Sequence, residues 1–181
     1  MTREAANAQR VSIRSRRDSD VASAAEALVK VHESDGYPVE GVDEPEAWLT
    51  PPEVLQAWIA ELDDHVVGHV ALGHPNGEDA VSLWLDQSDS AESEVAVLAR
   101  LFVAPEARRM ALGRRLTQAA MDYADEKGLR LVLDVMAKDT AAMRLYEALG
   151  WQRIGVSKHT YGEGQETDAI CYVSPATTPA R

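Results

Sequence analysis

The chain has 181 residues, 45% of them apolar, which suits one domain with a full core. Its 30 acidic residues against 18 basic ones leave a net charge of −12, which argues against nucleic acid as a partner and favours cationic ones. The one cysteine, Cys171, has no internal disulfide partner, no Cys/His cluster has zinc-ligand spacing, and no run approaches the roughly 20 apolar residues of a membrane span; neither a metal nor a membrane is expected.

Residues 1–10 read as a flexible polar arm without the apolar core of a signal peptide, so the expected compartment is the cytoplasm. The alternation V-S-I-R over 11–14 predicts a first strand. Asp18 or Ser19 is the expected cap of a helix whose apolar positions are Val21, Ala24, Ala25, Leu28, Val29 and His32. The acidic stretch 33–52, rich in Gly and Pro, predicts a loop with one helical turn over 44–49 carrying Trp48 inward; Tyr37 and Trp48 are candidates for a substrate wall.

Residues 57–62 and 66–72 flank Asp63-Asp64-His65 and predict a hairpin, with Gly68 marking a bulge or a close approach. Residues 79–86 fit a strand or a helix, and 87–93 a loop. The mostly apolar run 94–103 suits a central strand headed by Glu94. The segment LFVAPEARRMALGRR, 101–115, takes that strand through a Pro-bearing turn into a helix. Free N–H groups at a helix start, surrounded by Arg108, Arg109, Arg114 and Arg115, predict an anion site. The helix runs to about Lys127 on a stripe of Leu112, Leu116, Ala119, Ala120 and Tyr123, and Gly128 ends it.

Residues 129–136 follow as a strand, which implies a right-handed crossover and parallel pairing. Asp139 or Thr140 caps a helix over 141–149 that Gly150 stops; late strands over 151–156 and 169–173 enclose a Gly-rich loop. The organisation expected is a domain over 11–174 and a flexible tail over 175–181.

Two stretches carry a resemblance to a known family. Arg108-Arg109-Met110-Ala111-Leu112-Gly113 resembles the Arg/Gln-x-x-Gly-x-Gly/Ala motif that holds acetyl-coenzyme A. DTAAMRLYEALGW, 139–151, resembles Asn-x-x-Ala-x-x-Leu-Tyr-Glu-x-x-Gly-Phe/Trp. Together, in order and one strand apart, they are similar to the GCN5-related N-acetyltransferases. The resemblance implies an α/β fold of α+β character, the acyl-CoA N-acyltransferase fold: a mixed, mostly antiparallel central sheet with two splayed parallel strands, flanked by helices. Ala111 stands where glycine is common, a mild change if its backbone is helical, since only a left-handed position needs glycine. Asp139 stands where asparagine is common and lacks the amide donor.

The resemblance implies acetyl transfer from acetyl-coenzyme A to an amine. The pyrophosphate would rest on N–H groups of Arg109, Met110, Ala111, Leu112, Gly113 and Arg114, with Arg108 and Asp139 also on the cofactor. The pantetheine arm would run along the central strand, and a main-chain N–H of Phe102 or Val103 would polarise the thioester. Tyr146 would lie near the departing sulfur as proton donor. The base is Glu94, with Glu33, His32, Asp134 and His159 as alternatives. Cys171 lacks a basic partner, which favours direct attack by the amine. The acids Glu33, Asp35, Glu40, Asp43 and Glu44, with the region of Tyr161, point to a cationic small molecule or peptide as acceptor. A homodimer closing that side, a non-catalytic acyl-CoA sensor and an O-acyltransferase are further readings.

Overall fold

A computed structural model describes residues 10–161 and 163–176, without the side chains of His159 and Tyr161. The expected arm over 1–9, the last residues of the tail and the roles given to His159 and Tyr161 therefore lie outside the described residues. In chain order the elements are β1 (Val11–Ser15), α1 (Val21–Asp35), α2 (Pro45–Leu49), β2 (Val54–Leu62), β3 (His65–Gly73), α3 (Asp79–Gln87), β4 (Val95–Val103), α4 (Leu112–Lys127), β5 (Arg130–Met136), α5 (Thr140–Ala148), β6 (Gln152–Tyr161) and β7 (Gln165–Val173). The strands form one seven-stranded sheet in the order β1-β2-β3-β4-β5-β7-β6. Every pairing is antiparallel except β4 with β5.

Local chemistry explains these elements. Asp63 and Asp64 both take positive φ, 49° and 67°, as a two-residue hairpin turn between β2 and β3 requires. The start of α1 differs from expectation. Asp18–Asp20 form a short 3₁₀ turn and Asp20 is the cap residue. Its carboxylate serves Arg14, at 2.8 Å through both oxygens, and the Arg17 N–H at 2.7 Å. The Arg14 hydrogen bonds hold that carboxyl down at about 2. Residues 79–86 resolve as helix because Ala80, Val81 and Trp84 fall on one side of it, packed with Leu83 and Leu85 over β5, β6 and β7.

The sheet is covered on both faces. Beneath it, α4 buries Leu112, Leu116, Ala120 and Ala124 against Trp58, Val70, Leu72 and Leu98, while Ala119 and Tyr123 at the edge of the stripe are half-buried. Each fully buried leucine contributes about 1.5–3 kcal/mol. A second cluster joins α1 and α2 to Phe102 of β4. Gly68 is a close approach: a Cβ there would sit 3.1 Å from Leu116 Cδ1 and 3.2 Å from the Phe102 carbonyl.

The junction of β4 and β5 positions everything else. Their parallel pairing lasts for Val95↔Arg130, Ala96↔Leu131 and Val97↔Val132 and then stops. Past that point β5 stays paired to β7 through Met136 and β4 stays paired to β3 through Val103, so the two parallel strands diverge. A β-bulge at Arg100, whose φ is 58°, puts an extra residue into β4 between the pairs Ala71↔Ala99 and His69↔Phe102 and bends the strand away.

Candidate active site

The open end of the splay leads directly into the anion site. Between β4 and α4 the chain alternates into the left-handed region, at Arg109 (φ 67°) and Ala111 (φ 58°). Ala111 is thus not helical but the left-handed N-cap of α4, which removes the ground for treating its replacement of glycine as mild. Such alternation turns successive N–H groups into one concavity. None of the hydrogen bonds of the described residues uses an N–H between Arg109 and Arg114; the first bond of α4 is Arg115 N–H to the Ala111 carbonyl, 3.0 Å. With the dipole of a 16-residue helix behind them, these donors fit a pyrophosphate. Basic Arg114 and Arg115, rather than acids, fill the first turn of α4, an arrangement that an anionic ligand stabilises and that the empty dipole does not.

The remaining cofactor candidates divide. Arg108 is turned to Asp35 at the end of α1, with Nη1 3.1 Å from one carboxylate oxygen, and to the Val103 carbonyl at 3.4 Å. The Arg108 hydrogen bonds draw the Asp35 carboxyl below its usual range. Asp35 is thereby engaged with Arg108 in the link between β4 and α4, whereas it was expected to face the acceptor. Ala104 donates to the Val67 carbonyl (2.7 Å), and His69 stands opposite Phe102. Main-chain groups alternate between strand edges. Phe102 and Ala104 therefore face β3 while Val103 faces the splay. Phe102, 4% exposed with its ring stacked on His69 at 5.4 Å, contributes packing, and Val103 has the N–H at the open edge. Gly113 lies under α5, where an added Cβ would meet Leu145 Cδ2 at an ordinary 3.5 Å. Asp139 is the N-cap of α5, its Oδ1 accepting from Ala142 N–H at 3.3 Å.

Tyr146 projects from α5 into the splay. It is 5% exposed, with Trp151 at 5.6 Å and Tyr172 at 6.1 Å between ring centroids. Burial pushes its hydroxyl well above the usual phenol value, and Tyr37, Asp139 and Asp134 add to the effect. A tyrosine so placed is protonated across the neutral range and can donate. Burial raises the Tyr37 hydroxyl too, with Glu40, Arg100, Asp134 and Asp139 acting on it. Asp134, on the splayed half of β5, and Asp139, the cap of α5, are among the groups acting on both tyrosines.

Glu94 is not brought there. It ends a 3₁₀ turn before β4, at the end where β4 and β5 are still paired, and its Oε1 accepts the Ala91 N–H at 3.0 Å. Along an extended strand it lies about 30 Å from Val103. His32 donates from Nδ1 to the Pro38 carbonyl at 3.1 Å, and Glu33 is exposed on α1. Cys171 is fully buried, and burial raises its thiol. Asp134 is the candidate acid that sits on the splayed half of β5. Among the described residues no three His, Cys, Asp or Glu side chains gather as a metal site, and no helix is long and apolar enough to cross a membrane. Two surface hollows, between α1 and α2 and beside the β2–β3 turn, contain neither Tyr146 nor residues 109–114.

A buried network behind the bulge escaped sequence reading. His69 is fully buried, and its Nδ1 lies 2.9 Å from the Arg100 carbonyl, which can only accept. Its Nε2 then accepts from Arg16 Nη1 at 2.9 Å, and the same Nη1 reaches the Leu49 carbonyl at 2.7 Å. Burial pushes the imidazole down to about 4, so it is neutral, as an acceptor from arginine must be. The available signals were a lone histidine in the apolar run VVGHVAL and a lone arginine in VAVLARLFV.

Comparison with known proteins gives a consistent family. A model of the acetyltransferase (GNAT) family matches residues 22–151. The chain is 33% identical to the mycothiol acetyltransferase of Rhodococcus jostii over 110 residues, 60% of this chain and 32% of that one. It is 35% identical to the mycothiol acetyltransferase of Geodermatophilus obscurus over 115 residues, 62% and 33% of the two chains. The chain thus spans about a third of the length of these relatives. Among solved structures, the ribosomal-protein-S18-alanine N-acetyltransferase from Escherichia coli superposes with a TM-score of 0.70 at 19% identity, covering 94% of this chain and 97% of that one. The yncA protein from Salmonella typhimurium, solved with its cofactor acetyl-CoA, gives 0.67 at 17% identity, covering 94% and 98%. Both share this fold: a mixed, mostly antiparallel sheet flanked by helices.

Proposed function

The chain belongs to the acetyltransferase (GNAT) family, and on that premise we propose that it moves an acetyl group from acetyl-coenzyme A directly to a primary amine of a small molecule or peptide. The observation that carries this reading is the continuity of the splay with six unused N–H donors between Arg109 and Arg114. A thioester-bearing arm fits the open edge of β4 while its pyrophosphate rests on those donors. A solved neighbour of the same fold holds acetyl-CoA.

Each residue then has a task. The N–H groups from Arg109 to Arg114 hold the pyrophosphate, and Gly113 lets it approach. The Val103 N–H polarises the thioester carbonyl. The acceptor arrives protonated, as amines with pKa near 10 do, and the net charge of −12 favours its approach. Asp134 takes up the amine's proton and passes it to water. The freed lone pair forms the C–N bond. Asp134, its first proton already passed to water, takes the second proton from that nitrogen as the C–S bond breaks, and the Tyr146 hydroxyl supplies a proton to the departing sulfur. Solvent reprotonates Tyr146. Glu94, at the closed end of the strand pair, has no part in these steps.

The test is release of free thiol from acetyl-coenzyme A across a panel of amines, with product mass and hydroxylamine stability. The expected result is amine-dependent release and a product that hydroxylamine leaves intact. Tight cofactor binding without release for any amine would make the protein an acyl-CoA sensor, and a hydroxylamine-labile product would make it an O-acyltransferase.

A further inference from the structure

Arg100 is an unusual residue for its place. A left-handed bulge position favours glycine or asparagine, and any larger side chain there costs about 1–2 kcal/mol. Here it carries a half-buried arginine, three residues past the last β4–β5 pair. Its backbone is held by the His69–Arg16 network through its carbonyl. Its side chain is held as firmly: Nε donates to the Trp48 carbonyl at 2.7 Å, and the guanidinium carbon lies 5.1 Å over the Trp48 ring. Trp48 in turn meets Tyr37 edge-on at 5.8 Å. The guanidinium is thus packed on the α2 wall, from the splayed part of β4.

What the fork lacks is an acid. Arg14, Arg108 and Arg153 each pair with a carboxylate. Among the described residues Arg100 has no such pair, and neither Nη nitrogen makes a hydrogen bond, in a chain with 30 acids. Arg16, which contacts the same network and is itself acted on by Asp18 and Asp20, adds a second positive charge nearby. A rigid planar fork with two unused Nη groups is built to receive a carboxylate through paired hydrogen bonds.

We propose that the acceptor carries a carboxylate close to its reacting amine, as an α-amino acid does, and that Arg100 receives that carboxylate against the Trp48–Tyr37 wall. This rests on the acetyltransferase reading and narrows it. The amine lies toward Asp134 and Tyr146, and the acid lies toward Arg100. A purely cationic acceptor, which the acidic loop alone suggested, would meet the arginine with the wrong sign.

The test uses the full chain, acetyl-coenzyme A, and a panel of free amino acids, each beside its carboxamide and its decarboxylated amine. Thiol release by the native protein is expected to favour the free acid by about 10–100-fold in kcat/KM, the range of charge-assisted hydrogen bonds. Arg100→Asn keeps a residue that tolerates the left-handed backbone, and it should bring that ratio close to one, chiefly through KM. Arg100→Lys, with charge but no fork, should fall between. Calorimetry with coenzyme A should find the same affinity in both variants as in the native protein. Equal use of acid, amide and amine by the native protein, or a preference that survives in Arg100→Asn, overturns the Arg100 site and leaves the acetyltransferase standing. Conversely, carboxylate-dependent binding to the coenzyme A complex, lost in Arg100→Asn but never accompanied by thiol release, sustains the site and sinks the acetyltransferase.

Discussion

In the proposed reaction Tyr146 is the residue on which the chemistry turns, and its surroundings explain why tyrosine suits the place. Burial raises the phenol, so the proton is retained until a developing thiolate calls for it. Tyr146→Phe keeps the ring between Trp151 and Tyr172 and removes only the donor. It should lower kcat about 100-fold, within the usual range for a general acid, and leave acetyl-coenzyme A affinity within twofold by calorimetry. An unchanged rate at every pH with a true acceptor removes the acid role. Ala111 makes a different claim. Its left-handed backbone is strained, so Ala111→Gly should gain about 0.5–1 kcal/mol in urea unfolding and bind coenzyme A at least as tightly. His69 links residue to pH. Its folded pKa, about 4, lies below the unfolded value of 6.5, so its contribution is complete above 6.5 and is lost as pH falls toward 4. Native stability should decline by up to about 3 kcal/mol across that window, and His69→Gln, which keeps a hydrogen-bonding side chain that does not titrate, should flatten the decline.

Two elements, β4 and α4, turn a generic sheet into a site. The bulge at Arg100 bends β4 from β5, and left-handed turns after Val103 lead into α4 with the N–H groups of 109–114 unbonded among the described residues. Gly113 separates ligand approach from fold. Its Cβ position is open to within 3.5 Å of Leu145, so Gly113→Ala should keep or raise the melting temperature, as alanine does in a helix, while weakening coenzyme A binding. A loss of both together would show that the glycine serves helix packing instead. The turn from β4 into α4 and the capped α5 were legible in the sequence because both depend on local signals: an arginine-rich link before a helix start, and Asp139 three residues before the Ala142 N–H it receives. The conformation of Ala111 was not legible, since the left-handed turn is imposed by the geometry of the link and not by a glycine. Nor was residue 79–86 as helix, where Val81, Trp84 and their neighbours reveal their side only once β5 and β7 lie beneath them.

At the scale of the whole molecule, strand order was readable as a mixed sheet, but the identity of the acidic partner was not. Glu94 reads from the sequence as the head of the central strand. Only the parallel register, paired at Val95 and open after Val97, puts it at the closed end while Asp134 lies at the open one. The His69–Arg16–Arg100 network joins residues from β3, the loop after β1 and β4, a convergence of three distant segments that no local pattern encodes. The central claim is that the β4–α4 junction holds the pyrophosphate of the acetyl donor, and amide hydrogen exchange read by mass spectrometry tests it most directly. Unbonded amides between Arg109 and Arg114 should exchange fast in the free protein and slow markedly when coenzyme A is added, together with that of Val103, while β1 and β2 stay unchanged. Coenzyme A binding that leaves 109–114 fast, or that slows only the hollow between α1 and α2, would contradict it.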